Sequence, residues 1–433
     1  MAFQISPGVN TSEIDLTTVV PGVSSVDAGF SGAFRWGPIN EVTLVDSEDL
    51  LTQRFQKPDA NTFVSFFTAA NFLQYSNRLH LVRCATSAAR NASAGGTEVL
   101  VANSSVYYNT YDEGGSGVAA AHGDFMAKFA GDLGNSLKVS ICGPTRANLA
   151  SGNTVVASNS DIRLTGTFAV GASNKTVTGV GSQFNKELRV GDVVVSSGNT
   201  FVISAIANAT SATVDRDPTT GAISATTADR LKRSPFGEPA RNMVGTVAVT
   251  ANSTTITATT ATAGAHNSCA FDKQMLSGDI IKINGEERRV VTVTNSSHMV
   301  VNTGFTNTAT AQTYSRTWEY SNLFDKEPVT TQYTADKGAL FDEIHVVVVD
   351  EDGEWTGNLN EGLELFTGLS VAKGAKFEDG TKAYYVDAVN RRSKYLYWAD
   401  HNAMGDVYAS GTVNYTSAWG SVAAAGVEFS SGT

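Results

Sequence analysis

Cysteine is scarce in this 433-residue chain: Cys84, Cys142 and Cys269 lie far apart, their number is odd, and no CxxC pair occurs. A disulfide scaffold and a structural zinc site are thereby excluded, which fits a reducing compartment. Long apolar runs are missing too. The longest, such as Val346–Val349, fall far short of the roughly 20 residues that a membrane-spanning helix needs. The opening MAFQISPG has neither the basic nor the apolar region of a secretory signal peptide. Charged residues make up only 17%, with a net charge of −11, so a nucleic-acid backbone is not the expected main partner. Proline is rare (9), whereas glycine (40), Ser, Thr, Asn and Ala are plentiful. That mix favours β-rich modules with polar turns over a helical bundle or a disordered chain. It also makes chance the explanation for the Asn-x-Ser/Thr triplets at Asn10, Asn174 and Asn295.

Catalytic patterns are equally absent. His80, His122, His266, His298, His345 and His401 show no HExxH spacing, and the chain contains no GxxxxGK[ST], no GxGxxG opening a helix and no GxSxG elbow. His345 falls in an apolar strand, where a hydrogen-bonded core histidine is the expectation. The acidic run DEDGE (350–354) lacks the twelve-residue spacing of a calcium loop and reads as a solvated turn. No enzyme activity, cofactor or metal is expected.

What the chain does contain is organised in blocks. In ISPGVNTSEIDLTTVV (5–20), Ile14, Leu16, Thr18 and Val20 alternate with Glu13, Asp15, Thr17 and Val19 between Pro7-Gly8 and Pro21-Gly22. This is a strand with no local hairpin partner, so its backbone groups seek bonds elsewhere. Residues 22–88 read as α/β. EVTLV (41–45) is a strand, DSEDLLTQRF (46–55) a helix capped by Asp46, and 61–76 a helix with Phe63, Phe66, Phe67, Ala70 and Leu73 at helical spacing. RLHLVRCAT (78–86) returns as a strand, completing the pattern of a crossover unit. The Gly- and Ser-rich stretch 89–118 marks a boundary. An internal repeat follows, 166–216 against 245–302: Gly166 aligns with Gly245, Phe184 with Phe271, and Gly191-Asp192 with Gly278-Asp279. Each copy reads as a small β-barrel or sandwich in which the Gly-Asp pair turns the chain into a buried strand. Residues 322–433 return to α/β. Two strands joined at Glu351–Gly353 are expected over 342–355, a helix over 359–372, and a short helix before the strand KYLYW within 380–400; the polar tail shows no closing element.

Two clusters carry alternative readings. In FRWGPINEV (34–42), Arg35 and Trp36 either pack on their own core beside a Gly-Pro turn or anchor an interface, a role that favours Trp and Arg. In VNRRSK (389–394), Arg391, Arg392 and Lys394 either complement a helix dipole in solvent or pair with an acidic neighbouring subunit.

The segments SPGVNTSEIDLT, AFRWGPINEVTLVDSEDLLTQRFQKP and TAANFLQYSNRLHLVRCAT, then AGDLGNSLKVSI (130–141) and AKFEDGTKAYYVDAVNRRSKYLYW (375–398), resemble blocks of contractile bacteriophage tail sheath proteins, in that family's order. The resemblance implies a mixed α/β and all-β multidomain fold, in which an α/β sheath core, discontinuous in sequence, carries two tandem inserted β-modules. The expected parts are an N-terminal arm (1–20), an α/β segment (21–88), a second α/β domain (89–160 with 322–433), and the modules (161–236 and 237–321). It implies a structural subunit of the virion, assembled in the host cytoplasm as stacked hexameric rings around a tail tube. Partners would be further copies, the tail tube protein, and baseplate and tail terminator proteins, with no nucleic acid and no membrane insertion. Residues 5–20 match the arm that adds a strand to a neighbour's sheet, with Val9, Ile14, Leu16, Thr18 and Val20 along it. Long family members continue into a further C-terminal domain, so the resemblance implies that this chain is a fragment or incomplete. The rival reading is an adhesive or carbohydrate-binding β-module protein of a phage tail or cell surface, against which the α/β flanks argue.

Overall fold

The computed structural model describes residues 26–95, 99–111, 123–143, 148–150, 154–156, 162–188, 190–219, 221–231, 234, 236–260, 268–336, 342–399 and 427–428. The chain divides into two compact units, Met1–Thr86 and Ser87–Thr433.

The first unit holds β1 (Ala28–Gly32), β2 (Val42–Val45), α1 (Glu48–Phe55), α2 (Phe63–Leu73) and β3 (Leu79–Arg83). β3 lies in the middle of a three-stranded sheet, parallel to β1 and antiparallel to β2. The crossover therefore joins β1 to β3, not the 41–45 strand to β3. β1 escapes a pattern search because AGFSG has one large apolar residue. Ser47, not Asp46, caps α1: its hydroxyl accepts from the Leu50 amide at 3.3 Å. Glu48 and Asp49 in the first turn and Arg54 in the last suit the helix dipole. The helix stops at Gln56, whose φ of 62° is left-handed. On α2 the buried positions are Phe66, Ala69 and Ala70, whereas Phe63 and Phe67 are 50% and 53% exposed. The apolar spacing foresaw the helix but misassigned part of its inner face.

The second unit begins with β4 (Ser93–Gly95), α3 (Ser104–Val106), β5 (Gly123–Ala127), β6 (Leu137–Cys142), β7 (Asn148–Ala150) and β8 (Thr154–Val156). A first module follows: β9 (Ile162–Arg163), β10 (Phe168–Val170), β11 (Thr176–Thr178), α4 (Phe184–Glu187), β12 (Val193–Ser196), β13 (Asn199–Ile206), β14 (Ser211–Val214), β15 (Ile223–Thr226) and β16 (Asp229–Arg230). The second module holds β17 (Gly237–Glu238), β18 (Val247–Val249), β19 (Thr255–Ala258), α5 (Phe271–Gln274), β20 (Ile280–Ile283), β21 (Glu286–Asn295), β22 (His298–Val301), β23 (Ala309–Gln312) and β24 (Tyr314–Thr317). Then come α6 (Gln332–Asp336), β25 (Glu343–Asp350), β26 (Glu361–Ser370), α7 (Tyr385–Arg392), β27 (Leu396–Trp398) and β28 (Val427–Glu428).

The two modules run their strands in matching order, β15-β10-β11-β14-β13-β12-β16-β9 and β23-β18-β19-β22-β21-β20-β24-β17. Each buries its aligned phenylalanine, Phe184 or Phe271, completely. Gly166 and Gly245 show why the copies share a glycine. Their φ values are 74° and 78°, and a Cβ would meet the backbone of Gly181 and Ser182 at 2.5 Å in one copy, and of Ser268 and Cys269 within 2.8 Å in the other.

Outside the modules, β6 from before them and β25 and β26 from after them form one sheet, β26-β25-β6-β28. β25 is buried at all eight positions, as expected of a central strand with the apolar run Val346–Val349 at its heart. His345 within it is buried, with Nε2 2.8 Å from the Lys326 carbonyl and its ring stacked on Phe324. Two expectations fail here. The helix over 359–372 is instead β26, and the partner of β25 is not residues 351–355 but β26. The helical spacing has a strand explanation. Bulges in the β25–β26 ladder place Phe366 opposite Val346 and Leu369 opposite Ile344, so two buried side chains fall three residues apart. The tail, read as having no closing element, contributes β28 to β6. A second small sheet, β27-β5-β4, carries Tyr397 on β27, and Tyr107 stacks on that ring with centroids 3.7 Å apart.

Candidate assembly surfaces and the contacts that position them

The arm residues Val9, Ile14, Leu16, Thr18 and Val20 lie outside the described residues. The next candidate, the turn at 34–38, is shaped by Arg83. This buried side chain leaves β3 and donates to the carbonyls of Phe34 (2.8 Å), Gly37 (2.9 Å) and Arg35 (3.3 Å). Trp36 is only 3% exposed within its own unit. The interface-anchor reading of Trp36 therefore gives way to core packing, and Arg35 is half-buried beside it. Replacing Arg83 by Met is expected to cost about 2–3 kcal/mol, because three inward-facing carbonyls lose a charged donor. Urea denaturation checks this, and Arg83→Lys should restore only part of the loss, since one ammonium cannot reproduce the planar fork.

The α7 cluster divides. Arg392 is engaged, with its guanidinium 4.4 Å from the Phe377 ring centroid and Nη2 3.3 Å from the Thr381 hydroxyl. Arg391 and Lys394 have exposed side chains. The turn after α7 is held by Glu364 of β26, whose carboxylate accepts from the Lys394 amide at 2.8 Å. Lys128 donates to the Ser393 carbonyl and sits 5.0 Å from the Tyr397 ring centroid. Burial pushes the Glu364 carboxyl above the usual range, against the Lys394 amide and the charges of Lys128 and Lys394. The folded state thus holds this proton more tightly than the unfolded chain. Stability from the group is present at low pH and is lost as pH rises through the raised pKa. Glu364→Gln is accordingly expected to raise the melting temperature at pH 7, an advantage that disappears by pH 4 in paired thermal melts.

α2 offers an uncharged surface. Phe63, Val64, Phe67 and Tyr75 are all at least half exposed, and residues 60–77 contain no charged side chain.

Inside the modules the Gly-Asp pairs have a role that the turn alone does not explain. Gly191 and Gly278 turn the chain at φ 88° and 94°. Asp279 is then buried against Arg316 of β24 at 2.6 Å, and Asp192 against Arg230 of β16 at 3.6 Å. Sequence reasoning missed both arginines, which lie beyond the aligned copies 166–216 and 245–302. Among the described residues, no group of three or more His, Cys, Asp or Glu is arranged to hold a metal ion, and no helix is long and apolar enough to cross a membrane.

No family model matches the chain. It is 41% identical over 90 residues to the tail sheath protein of Vibrio phage KVP40, covering 21% of this chain and 13% of that one. It is 37% identical over 90 residues to the tail sheath protein of Enterobacteria phage T4 (21% and 14%). It is 26% identical over 142 residues to that of Salmonella phage ViI (33% and 22%). A solved sheath tail protein from Listeria innocua is 14% identical, with a TM-score of 0.17 and coverage of 46% of this chain and 34% of that one; at that score the likeness carries no argument. The matches span less than a quarter of each curated relative's length, and over those stretches the chain is similar to phage tail sheath proteins.

Proposed function

We propose that the chain is a structural subunit of a contractile phage tail sheath. Copies stack as rings around the tail tube and contract to drive the tube through the host envelope. The observation that supports this reading is the sequence relationship to three tail sheath proteins of different phages. In this reading the chain is a virion component and not an enzyme. Its partners are further copies of itself, the tail tube protein, and the baseplate and tail terminator proteins.

Extended and contracted lattices are two packings of the same folded subunits, so the work comes from the difference in contacts between them. Residues 5–20 are the connecting arm, adding a strand to a neighbouring copy through Val9, Ile14, Leu16, Thr18 and Val20. Main-chain ladders suit that role because their bonds tolerate a change of angle between subunits. The exposed Arg391 and Lys394 form the basic side of a further contact with an acidic neighbour.

Negative-stain microscopy of the purified chain mixed with its tube protein tests the proposal. Rings or tubes are expected; a chain that stays monomeric beside assembled tube would overturn it.

A further inference from the structure

The repeat allows each module to be read against the other. Where two copies of one fold differ in polarity at matching positions, the difference marks surroundings and not fold. Asp192 and Asp279 set one register, so Val193, Val195 and Val202 match Ile280, Lys282 and Arg289. The arginines paired with those aspartates, Arg230 and Arg316, make Leu231 match Thr317.

In the first module Val193, Val202 and Leu231 are buried and Val195 packs beside them. The second module places an exposed Lys282 and an exposed Thr317 at two of these positions, and at a third Arg289, which is paired with Glu319 at 2.5 Å. The apolar set of the first module packs on Val244 and Ala270 of the second, in one hydrophobic cluster. Those two residues in turn match Thr165 and Gln183 of the first module, both exposed. The match is close in backbone as well: Gln183 has φ −132° and ψ 48°, and Ala270 has φ −131° and ψ 54°.

We infer that the two modules form one rigid, directional stack. The apolar stripe Val193–Val195–Val202–Leu231 of the first module docks on Val244 and Ala270 of the second, and the polar Thr165 and Gln183 end the series. A polar outer face is how repeat arrays terminate. The second module is seated in its turn on the α/β sheet through Trp318, which packs with Cys142, Val347 and Val349 and donates from Nε1 to the Ser140 hydroxyl at 2.9 Å. The first module is thus carried at a fixed place by the second, not tethered as a loose ornament.

The test uses the full chain and residues that the repeat itself supplies. Val195→Lys with Leu231→Thr writes the second module's residues into the first, so the module fold is kept while the seam is lost. Val244→Thr does the same from the other side. Nitroxides are placed at Val180→Cys and Glu287→Cys in a Cys84→Ser background, and their separation is read by double electron–electron resonance. One narrow distance distribution is expected for the parent chain. Both seam variants should broaden it at least twofold while the far-ultraviolet circular dichroism stays unchanged. A broad distribution in the parent, or an unchanged narrow one in the folded variants, would overturn the inference.

Discussion

Replacing Asp279 by Ala is expected to destabilise the second module by about 3 kcal/mol, because it removes the nearest countercharge of a buried guanidinium. Both partners are about 3% exposed, and the Arg316 Nε lies 2.6 Å from the carboxylate. Burial alone would favour a neutral Arg316; the Asp279 carboxylate reverses that and holds its pKa above the ordinary value. Asp279 also accepts from the Leu276 amide at 2.9 Å, so the turn that feeds β20 loosens with it. Removing both charges, Asp279→Ala with Arg316→Met, should recover much of the loss, since a buried pair gains little over well-packed apolar groups. The matching Asp192→Ala should cost less. There the pair is 3.6 Å apart, and the Arg230 Nε and Nη1 make no hydrogen bond among the described residues. Thermal unfolding followed by near-ultraviolet circular dichroism separates these outcomes. Equal losses at the two sites, or none, would contradict this account of the repeat.

Proline at Ile14 or Leu16 is expected to leave the subunit folded and to collapse its assembly. Proline removes a ladder donor, and its fixed φ opposes a strand interior. Each inter-strand bond contributes about 0.5–1.5 kcal/mol net. One lost donor is modest in a single contact, but in the proposed assembly it recurs in every subunit. Assembly yield and particle length in electron micrographs are the readout, beside a circular dichroism spectrum that shows the subunit unchanged. Particles of normal length and yield would remove the arm from the account.

Sequence patterns revealed features whose cause is local or repeated. Ser47 and the acidic first turn belong to a helix start that the sequence placed within one residue. The matched Gly, Phe and Gly-Asp positions exposed the repeat because each is demanded by backbone geometry or by the centre of a core. What stayed hidden depends on partners distant in the chain. β26 imitates a helix because bulges against β25 reset its inward spacing. Arg83 works on carbonyls nearly 50 residues upstream, and a lone arginine in a strand signals none of that. For Trp36 beside Gly37-Pro38 core packing is the favoured reading over an interface anchor, and the packed first unit agrees with it. The buried arginines lie beyond the aligned stretches 166–216 and 245–302, and only their pairing with the matched aspartates shows that they correspond.

In the sheath reading the chain coats the shaft of a contractile tail, and the most direct test is to label intact tails carrying it with an antibody raised against the modules, residues 162–320, and view them by electron microscopy. Regular decoration along the whole outer shaft, drawing closer together on contraction, is the result expected. Label confined to the tail tip or fibres, or absent from the tail, would contradict the account.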